Sequence, residues 1–267
     1  MTPSWKPSER TSGRFVTVRV VDETGSTNAD LVERARNGAA AGDVLIARHQ
    51  TSGRGRQGRS WFDRPDSSLL MSWSIDIDAT LAPLVPLAVG IAVTRAVEGI
   101  AGNGVVALKW PNDVLAPGHD ERKLAGILAE AVSQRPGSRG SERPSLRVVV
   151  GMGVNVDLGG GIVPDEVAAR AVDLTTLAGH TIDRAALVDA LLDASDEAID
   201  VLERSTVETI AEYRRRCLTI GRAVRFDTGT GHVDGIVRTV AMDGSLVLEL
   251  ADGTVRHLTA GDAHHAG

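Results

Sequence analysis

Residues 53 to 61 read Gly53-Arg54-Gly55-Arg56-Gln57-Gly58-Arg59-Ser60-Trp61, and the fold turns on what this run connects. By letters it matches G-x-G-x-x-G, and Asp76 and Asp78 follow about 20 residues on, as in a dinucleotide-binding turn. Such a turn must open a helix whose N-terminus holds a pyrophosphate. Here Ser60 to Ser68 carries Pro65, two aspartates and three serines, and passes directly into the apolar stretch Leu69 to Asp78. The run is therefore a loop between two strands, with no crossover helix. Its glycines allow close backbone approach. Arg54, Arg56 and Arg59 bring permanent positive charge suited to carboxylate and phosphate oxygens, and Trp61 offers a flat apolar wall. Taken alone, the run reads equally well as a solvated basic hairpin tip.

Working outward, Val16–Val21, Asp43–Arg48, Leu69–Asp78, Val105–Leu108, Lys123–Val132 and Leu146–Val156 read as strands, rich in Val, Ile and Leu. Ser26 or Thr27 offers an N-cap for a helix that stops at Asn37-Gly38. Pro83–Gly99 is a long apolar helix and Ala185–Leu202 an amphipathic one, with a second helix ending near Arg216. Gln134–Ser145, built of Arg, Ser, Gly and Pro, reads as a solvated hairpin loop. Beyond Gly221 four short β runs (Ala223–Phe226, Val233–Val240, Leu246–Leu250, Val255–Leu258) are separated by turns that include Asp243-Gly244 and Asp252-Gly253. The expectation is an α+β fold: a flexible polar tail over 1–14, a domain over 15–217 with a mixed central β-sheet and flanking helices, and a small C-terminal β-barrel domain over 218–267.

The chain has 267 residues, 42% of them apolar, enough for a sizeable core. A formal net charge of -6 opposes a general polyanion binder, which needs a positive field. The opening residues lack an apolar core such as a secretion signal needs, and the run Leu84–Val97 is bounded by charge and reads as a buried helix. The single cysteine, Cys217, excludes an internal disulfide or a multi-cysteine zinc site. These features point to a cytoplasmic protein without a membrane partner.

Three more runs carry chemistry. Lys109-Trp110-Pro111-Asn112-Asp113 follows a strand, so Asn112 and Asp113 fall at a strand-to-loop junction, where Asp113 suits a metal ion or a proton. Lys123-Leu124-Ala125-Gly126-Ile127-Leu128 places a lysine at the start of a strand thinned by small residues, which leaves room for a ligand or for a second backbone. Gly151-Met152-Gly153-Val154-Asn155-Val156 has the same texture with one polar residue, Asn155, that needs partners.

In this order, and with Gly25-Ser26-Thr27-Asn28 ahead of them, the four runs resemble the biotin protein ligase family over roughly Asp22 to Val156. A weaker likeness extends into the C-terminal domain. The resemblance implies a synthetase-like catalytic domain with an SH3-like C-terminal domain. It implies the substrates biotin and ATP with Mg²⁺, and, as partner, a biotin carboxyl carrier domain of acyl-CoA or pyruvate carboxylase type. It implies that Ser26, Thr27 and Asn28 bind the ureido ring, with Gln50 beside them. It implies that Gly53, Arg54, Gly55 and Arg56 belong to a loop closing over biotin and the adenylate, and that Trp61 and Asn155 lie near adenine. Lys123, with Gly126 on the same strand, would meet the biotin carboxylate and phosphate. Asn112 and Asp113 would stand near the phosphates and Mg²⁺, and the catalytic set would be Lys123, Arg56, Asp113 and Lys109. Gln57 departs from the commonest form of the loop, where a basic residue is frequent. Too few residues precede the first strand for the DNA-binding module that some members carry, so no repressor role is expected, and a monomer or weak homodimer is.

The implied reaction couples the biotin carboxylate to the α-phosphate of ATP and passes the acyl group to a carrier lysine. That amine must be neutral to react, which at pH 7 costs about 4.6 kcal/mol from its reference pKa. A lipoate or octanoate transferase on the same fold would not explain the arginine-rich loop. A non-catalytic sensor would not need both Lys123 and Asp113. A DNA-binding regulator is opposed by the negative charge.

Overall fold

The computed structural model describes residues 6–135, 144–159, 163–227, 231–259 and 261–265. Strict alternation organises its centre. In β3 (Ser68–Asp78), Leu69, Met71, Trp73, Ile75 and Ile77 enter the main core, while Leu70, Ser72 and Ser74 face the other way. β7 (Ser145–Asn155) pairs with β3 over its whole length and sends Val148, Val150, Met152 and Val154 to that core. The opposite face of β7 carries Val149, Gly151 and Gly153. With β1 (Thr17–Thr24), β2 (Asp43–Gln50), β4 (Ala107–Lys109), β5 (Asp113–Ala116) and β6 (Arg122–Arg135), these strands form one sheet in the order β1-β2-β3-β7-β6-β5-β4. β1 and β2 are parallel and the remaining neighbours antiparallel, so the sheet is mixed, as expected.

The two faces are covered unequally. α1 (Thr27–Arg36) lies on one face, its Leu31, Val32 and Ala35 packed on Leu45 and Val149. Of the two N-cap candidates the cap is Ser26, whose hydroxyl accepts from the Ala29 N–H. α2 (Val85–Ala101) covers the other face. Among the described residues the stretch Ala82–Ala101 is long and apolar enough to cross a membrane, and it is mostly buried in this core. Two helices pack over α2: α5 (Arg184–Arg204), capped by Asp183, and α6 (Thr206–Arg216), capped by Ser205. Two short helices, α3 (Asp165–Ala168) and α4 (Leu174–Ala178), precede them. Neither these nor the four-residue β5 has a distinct sequence period, because each is too short to repeat one.

Residues 6–14, expected as a flexible tail, form no helix or strand. They nevertheless meet α5 through charge: Arg10 pairs with Asp193 at 2.7 Å, and Arg14 with Asp196, Asp200 and Glu203. Most of the loop expected over Gln134–Ser145 lies outside the described residues; β6 reaches Arg135 and β7 begins at Ser145.

The C-terminal part is a five-stranded antiparallel sheet, ordered β11-β10-β9-β8-β12. Its strands are β8 (Ala223–Asp227), β9 (His232–Val240), β10 (Leu246–Glu249), β11 (Val255–Leu258) and β12 (Asp262–His265). Asp243-Gly244 and Asp252-Gly253 turn the chain between β9 and β10 and between β10 and β11, as their sequences require. Among the described residues no pairing joins the two edge strands, β11 and β12, so the expected barrel is an open sheet in its hydrogen bonds. This sheet shares the core of the larger one: Trp110 stacks near Phe226 at 5.8 Å and donates its indole N–H to the Gly244 carbonyl at 3.0 Å.

Candidate active site

Where α1 stops short of covering its face of the sheet, a cleft of about 150 Å³ opens. Its floor exists because positions of the central strands that face it are small: Ser72 on β3, Gly151 and Gly153 on β7, and Gly126 on β6. A Cβ on Gly153 would lie 2.6 Å from the Trp61 ring, and one on Gly126 would lie 3.0 Å from it. The glycines are the seat of the indole. Trp61 is thereby held over the floor, and Lys123 Nζ lies 5.4 Å from its ring centroid, at the outer limit of a cation–π contact.

The β1–α1 turn builds the polar end. Thr27 donates its N–H to Gln50 Oε1 at 2.7 Å, and its hydroxyl reaches the same oxygen at 3.0 Å and Ser72 Oγ at 2.7 Å. The Asn28 amide, oriented to suit its neighbours, donates to the Glu130 carboxylate and accepts from the Gly151 N–H at 3.2 Å. Ser26, Thr27, Asn28 and Ser72 are all buried, so their hydrogen-bonding groups are held without water and in fixed directions.

The other end is cationic. The 53–61 run is a hairpin loop, as expected: Arg54 bridges to Ser60, the Gly55 N–H donates to the Arg59 carbonyl at 2.7 Å, and the Trp61 N–H donates to the Gly53 carbonyl at 3.0 Å. Its tip is a single 3-10 turn, Arg56–Gly58, with Gln57 at φ +57° and exposed, so the departure at Gln57 points away from the cleft. Arg54, Gly55 and Arg56 line the cleft, and the Arg56 guanidinium donates to Asn112 Oδ1 at 3.2 Å. Asn112 is itself fixed, donating to the Ile127 carbonyl at 2.8 Å. Asp113 Oδ1 and Lys123 Nζ form an ion pair at 2.7 Å, with about a third of the Lys123 side chain exposed to the cleft.

The cleft therefore gathers Ser26, Thr27, Asn28, Gln50, Arg54, Gly55, Arg56, Trp61, Asn112, Asp113, Lys123 and Gly126 from five separate stretches of chain. It does not gather three others. Gly53 is buried behind the loop, against Gln50 and Trp61. Lys109 stands in register with Asp113 at the end of β4 and is not on the cleft wall. Asn155, expected near a base, spends its amide N–H groups on the Lys123 and Val172 carbonyls at 3.1 and 3.2 Å, because it must tie β6 to the segment after β7. Ser72 and Met152 line the cleft and were not singled out from sequence. For Ser72 the signal was there: a serine alternating with core residues in a buried strand.

Asp113 is the one carboxylate among the residues lining the cleft, and the described residues hold no group of three His, Cys, Asp or Glu side chains able to cage a metal. Mg²⁺ that arrives on phosphates needs only one or two protein carboxylates, which this site offers.

A mixed sheet whose glycine floor carries a cleft, polar at one end and cationic at the other, defines an α+β domain with a built site for a small ligand. Residues 20–155 match the biotin/lipoate A/B protein ligase family and residues 219–265 the biotin protein ligase C-terminal domain. The chain belongs to that ligase family. It is 38% identical to the biotin--[acetyl-CoA-carboxylase] ligase of Mycobacterium tuberculosis, over 92% of this chain and 88% of that one. It is 30% identical to the ligase of the same name from Paracoccus denitrificans, over 84% and 91%. In fold it is similar to a biotin protein ligase from Aquifex aeolicus solved in complex with biotin and ATP, with a TM-score of 0.77 at 24% identity over 94% of this chain and 100% of that one.

Proposed function

We propose that this protein is a biotin protein ligase: it activates biotin with ATP to biotinyl-5'-AMP and transfers the biotinyl group to a lysine of a biotin carboxyl carrier domain. One observation carries the reading: the hydrogen-bonded polar group Thr27–Gln50–Ser72 and the cations Lys123, Arg54 and Arg56 line one cleft. The 38% identity to the mycobacterial ligase over nearly the whole chain supports it.

In this reading the cyclic urea of biotin lies at the polar end, where Thr27 and Asn28 exchange hydrogen bonds with it, and its carboxylate lies toward Lys123. ATP enters as its magnesium complex, with Asp113 the carboxylate near the phosphates. Lys123, Arg54 and Arg56 neutralise the charge that gathers as the carboxylate oxygen bonds to the α-phosphorus and pyrophosphate leaves. Trp61 and the loop carrying it exclude water from the mixed anhydride. The acceptor amine is kept neutral by the surrounding cations, and Asp113 orients it. The carrier is a biotin carboxyl carrier domain of acyl-CoA or pyruvate carboxylase type, and the reaction takes place in the cytoplasm.

The test is direct. Incubated with biotin, ATP and Mg²⁺, the protein should add one biotinyl group to a purified carrier domain, read by mass spectrometry, and should exchange pyrophosphate into ATP only when biotin is present. Exchange without biotin, or none with it, refutes the reading.

A further inference from the structure

Beneath the arginine-bearing loop lies a charged group that neither end of the cleft uses. Asp63 follows Trp61 by two residues, and its carboxylate is 1% exposed. Asp63 Oδ2 accepts the backbone N–H of Gln50 at 2.9 Å and faces His49 Nδ1 at 2.9 Å. Asp63 Oδ1 accepts from the Ser67 hydroxyl at 3.3 Å. Burial pushes the Asp63 carboxyl above the usual carboxylate range, against the pull of the hydrogen bonds from Gln50 and His49. A carboxylate is costly to bury, and a neutral side chain would fill the space without that cost.

Its position explains what the charge does. His49 and Gln50 end β2, which is the chain's entry into the 53–61 loop, and Asp63 stands where the chain leaves it. One side chain therefore ties the two stems together beneath the loop. Gln50 is also the residue whose Oε1 accepts both hydrogen bonds from Thr27, so the backbone that Asp63 holds carries the side chain that orients the polar end of the cleft. The relay runs from Asp63 through the Gln50 backbone and side chain to Thr27 and Ser72, with each link between 2.7 and 3.0 Å.

We propose that Asp63, with His49 as its outer partner, is a positioning residue for ligand binding: it clamps the stems of the 53–61 loop and through Gln50 sets the geometry that selects the ureido end of the substrate. The proposal rests on the biotin ligase reading above. Above the stems the loop keeps its own hydrogen bonds, Gly55 to Arg59 and Trp61 to Gly53, and the Arg56–Asn112 contact, so loss of Asp63 should act through Gln50 on the polar end of the cleft and leave the nucleotide end largely alone.

The experiment is biotin-dependent ATP–pyrophosphate exchange with wild type, Asp63→Ala, Asp63→Asn and His49→Ala. Wild-type exchange that depends on biotin establishes the reaction independently of the variants. With Asp63→Ala the KM for biotin should rise at least tenfold, while the KM for ATP changes less than twofold. Asp63→Asn keeps an acceptor for the Gln50 N–H and should recover most of the biotin KM. His49→Ala removes the outer partner at a partly exposed position and should raise the biotin KM about threefold. If Asp63→Ala does not fold, His49→Ala carries the test. A folded Asp63→Ala with unchanged biotin KM, an equal rise for both substrates, or an unchanged His49→Ala when Asp63→Ala cannot be read would overturn the proposal.

Discussion

Lys123 shows how one side chain can hold two different partners. In the free protein its ammonium is spent on Asp113 at 2.7 Å, at the mouth of the cleft. An incoming carboxylate or phosphate must share or displace that carboxylate, which keeps Lys123 aligned in advance and limits the charge left unpaired. A charge-assisted contact of this kind is worth roughly 1.5–3 kcal/mol. Lys123→Ala should therefore slow biotinyl-adenylate formation tenfold to hundredfold, with the fold intact by circular dichroism. A folded variant that forms adenylate at the wild-type rate would reduce Lys123 to a strand-edge lysine.

At the scale of elements, the glycines of β6 and β7 make room for a ring that belongs to another segment. Gly153→Ala forces the Trp61 indole off its seat, since the new Cβ would stand 2.6 Å from it. Overpacking of this order costs about 1–3 kcal/mol. The loop should then lose its anchor, and amide exchange across residues 53–61 should quicken severalfold while exchange in α2 is unchanged. Equal protection in the two proteins would show that the indole does not hold the loop. On the far face, α6 is fastened to α2 by Glu212, which accepts from Arg95 at 2.6 and 3.1 Å and from Arg216 at 3.2 Å. Burial pushes the Glu212 carboxyl up, but the hydrogen bonds and charges of Arg95 and Arg216 outweigh it and hold the group below its usual range. The folded state thus binds fewer protons here than the unfolded one. The resulting stability is present above the ordinary carboxylate pKa, about 4.3, and is lost as pH falls through the lower folded value. Glu212→Gln should cost about 1–2 kcal/mol at pH 7, and the gap to wild type in denaturant titrations should close below about pH 4.

For the molecule as a whole, the question is what makes two sheets one body. Trp110 is buried between them, with its N–H on the Gly244 carbonyl, and Gly244 itself sits at φ +83° with its missing Cβ aimed at Leu84, 2.8 Å away. Gly253 offers a control: its φ is +82°, and a Cβ there meets nothing within 4 Å. Gly253→Val pays for backbone strain alone, about 1 kcal/mol. Gly244→Val adds a steric wedge between the β9–β10 turn and the start of α2, where Leu84 and Leu87 stand, and should lose about 2–3 kcal/mol in total, with a broader or split thermal transition by calorimetry. Equal losses at the two positions would mean that the sheets do not depend on this contact.

Much was legible in local sequence because it depends on short-range rules. Runs rich in Val, Ile and Leu marked β3 and β7, helical spacing marked α5, and Asp-Gly pairs marked the turns of the second sheet. The proline and polar residues after Ser60 were enough to turn the glycine–arginine run from a helix-opening turn into a hairpin loop. Four motifs named most of the cleft wall, since each carries a residue type whose chemistry is specific. What only the tertiary structure decided concerns partners far apart in the chain. Asn155 looked like a ligand contact and is consumed by two backbone carbonyls, and Lys109 adjoins the site motif without reaching the cleft. Arg10 and Arg14 looked like part of a loose tail and meet acidic residues about 180 positions away on α5. Asp63 looked like one of two loop aspartates, and its carboxylate is buried between the two loop stems. In every case the residue's own chemistry was plain, but its partner is chosen by how the sheet and helices pack, and that packing is written in no local stretch of chain.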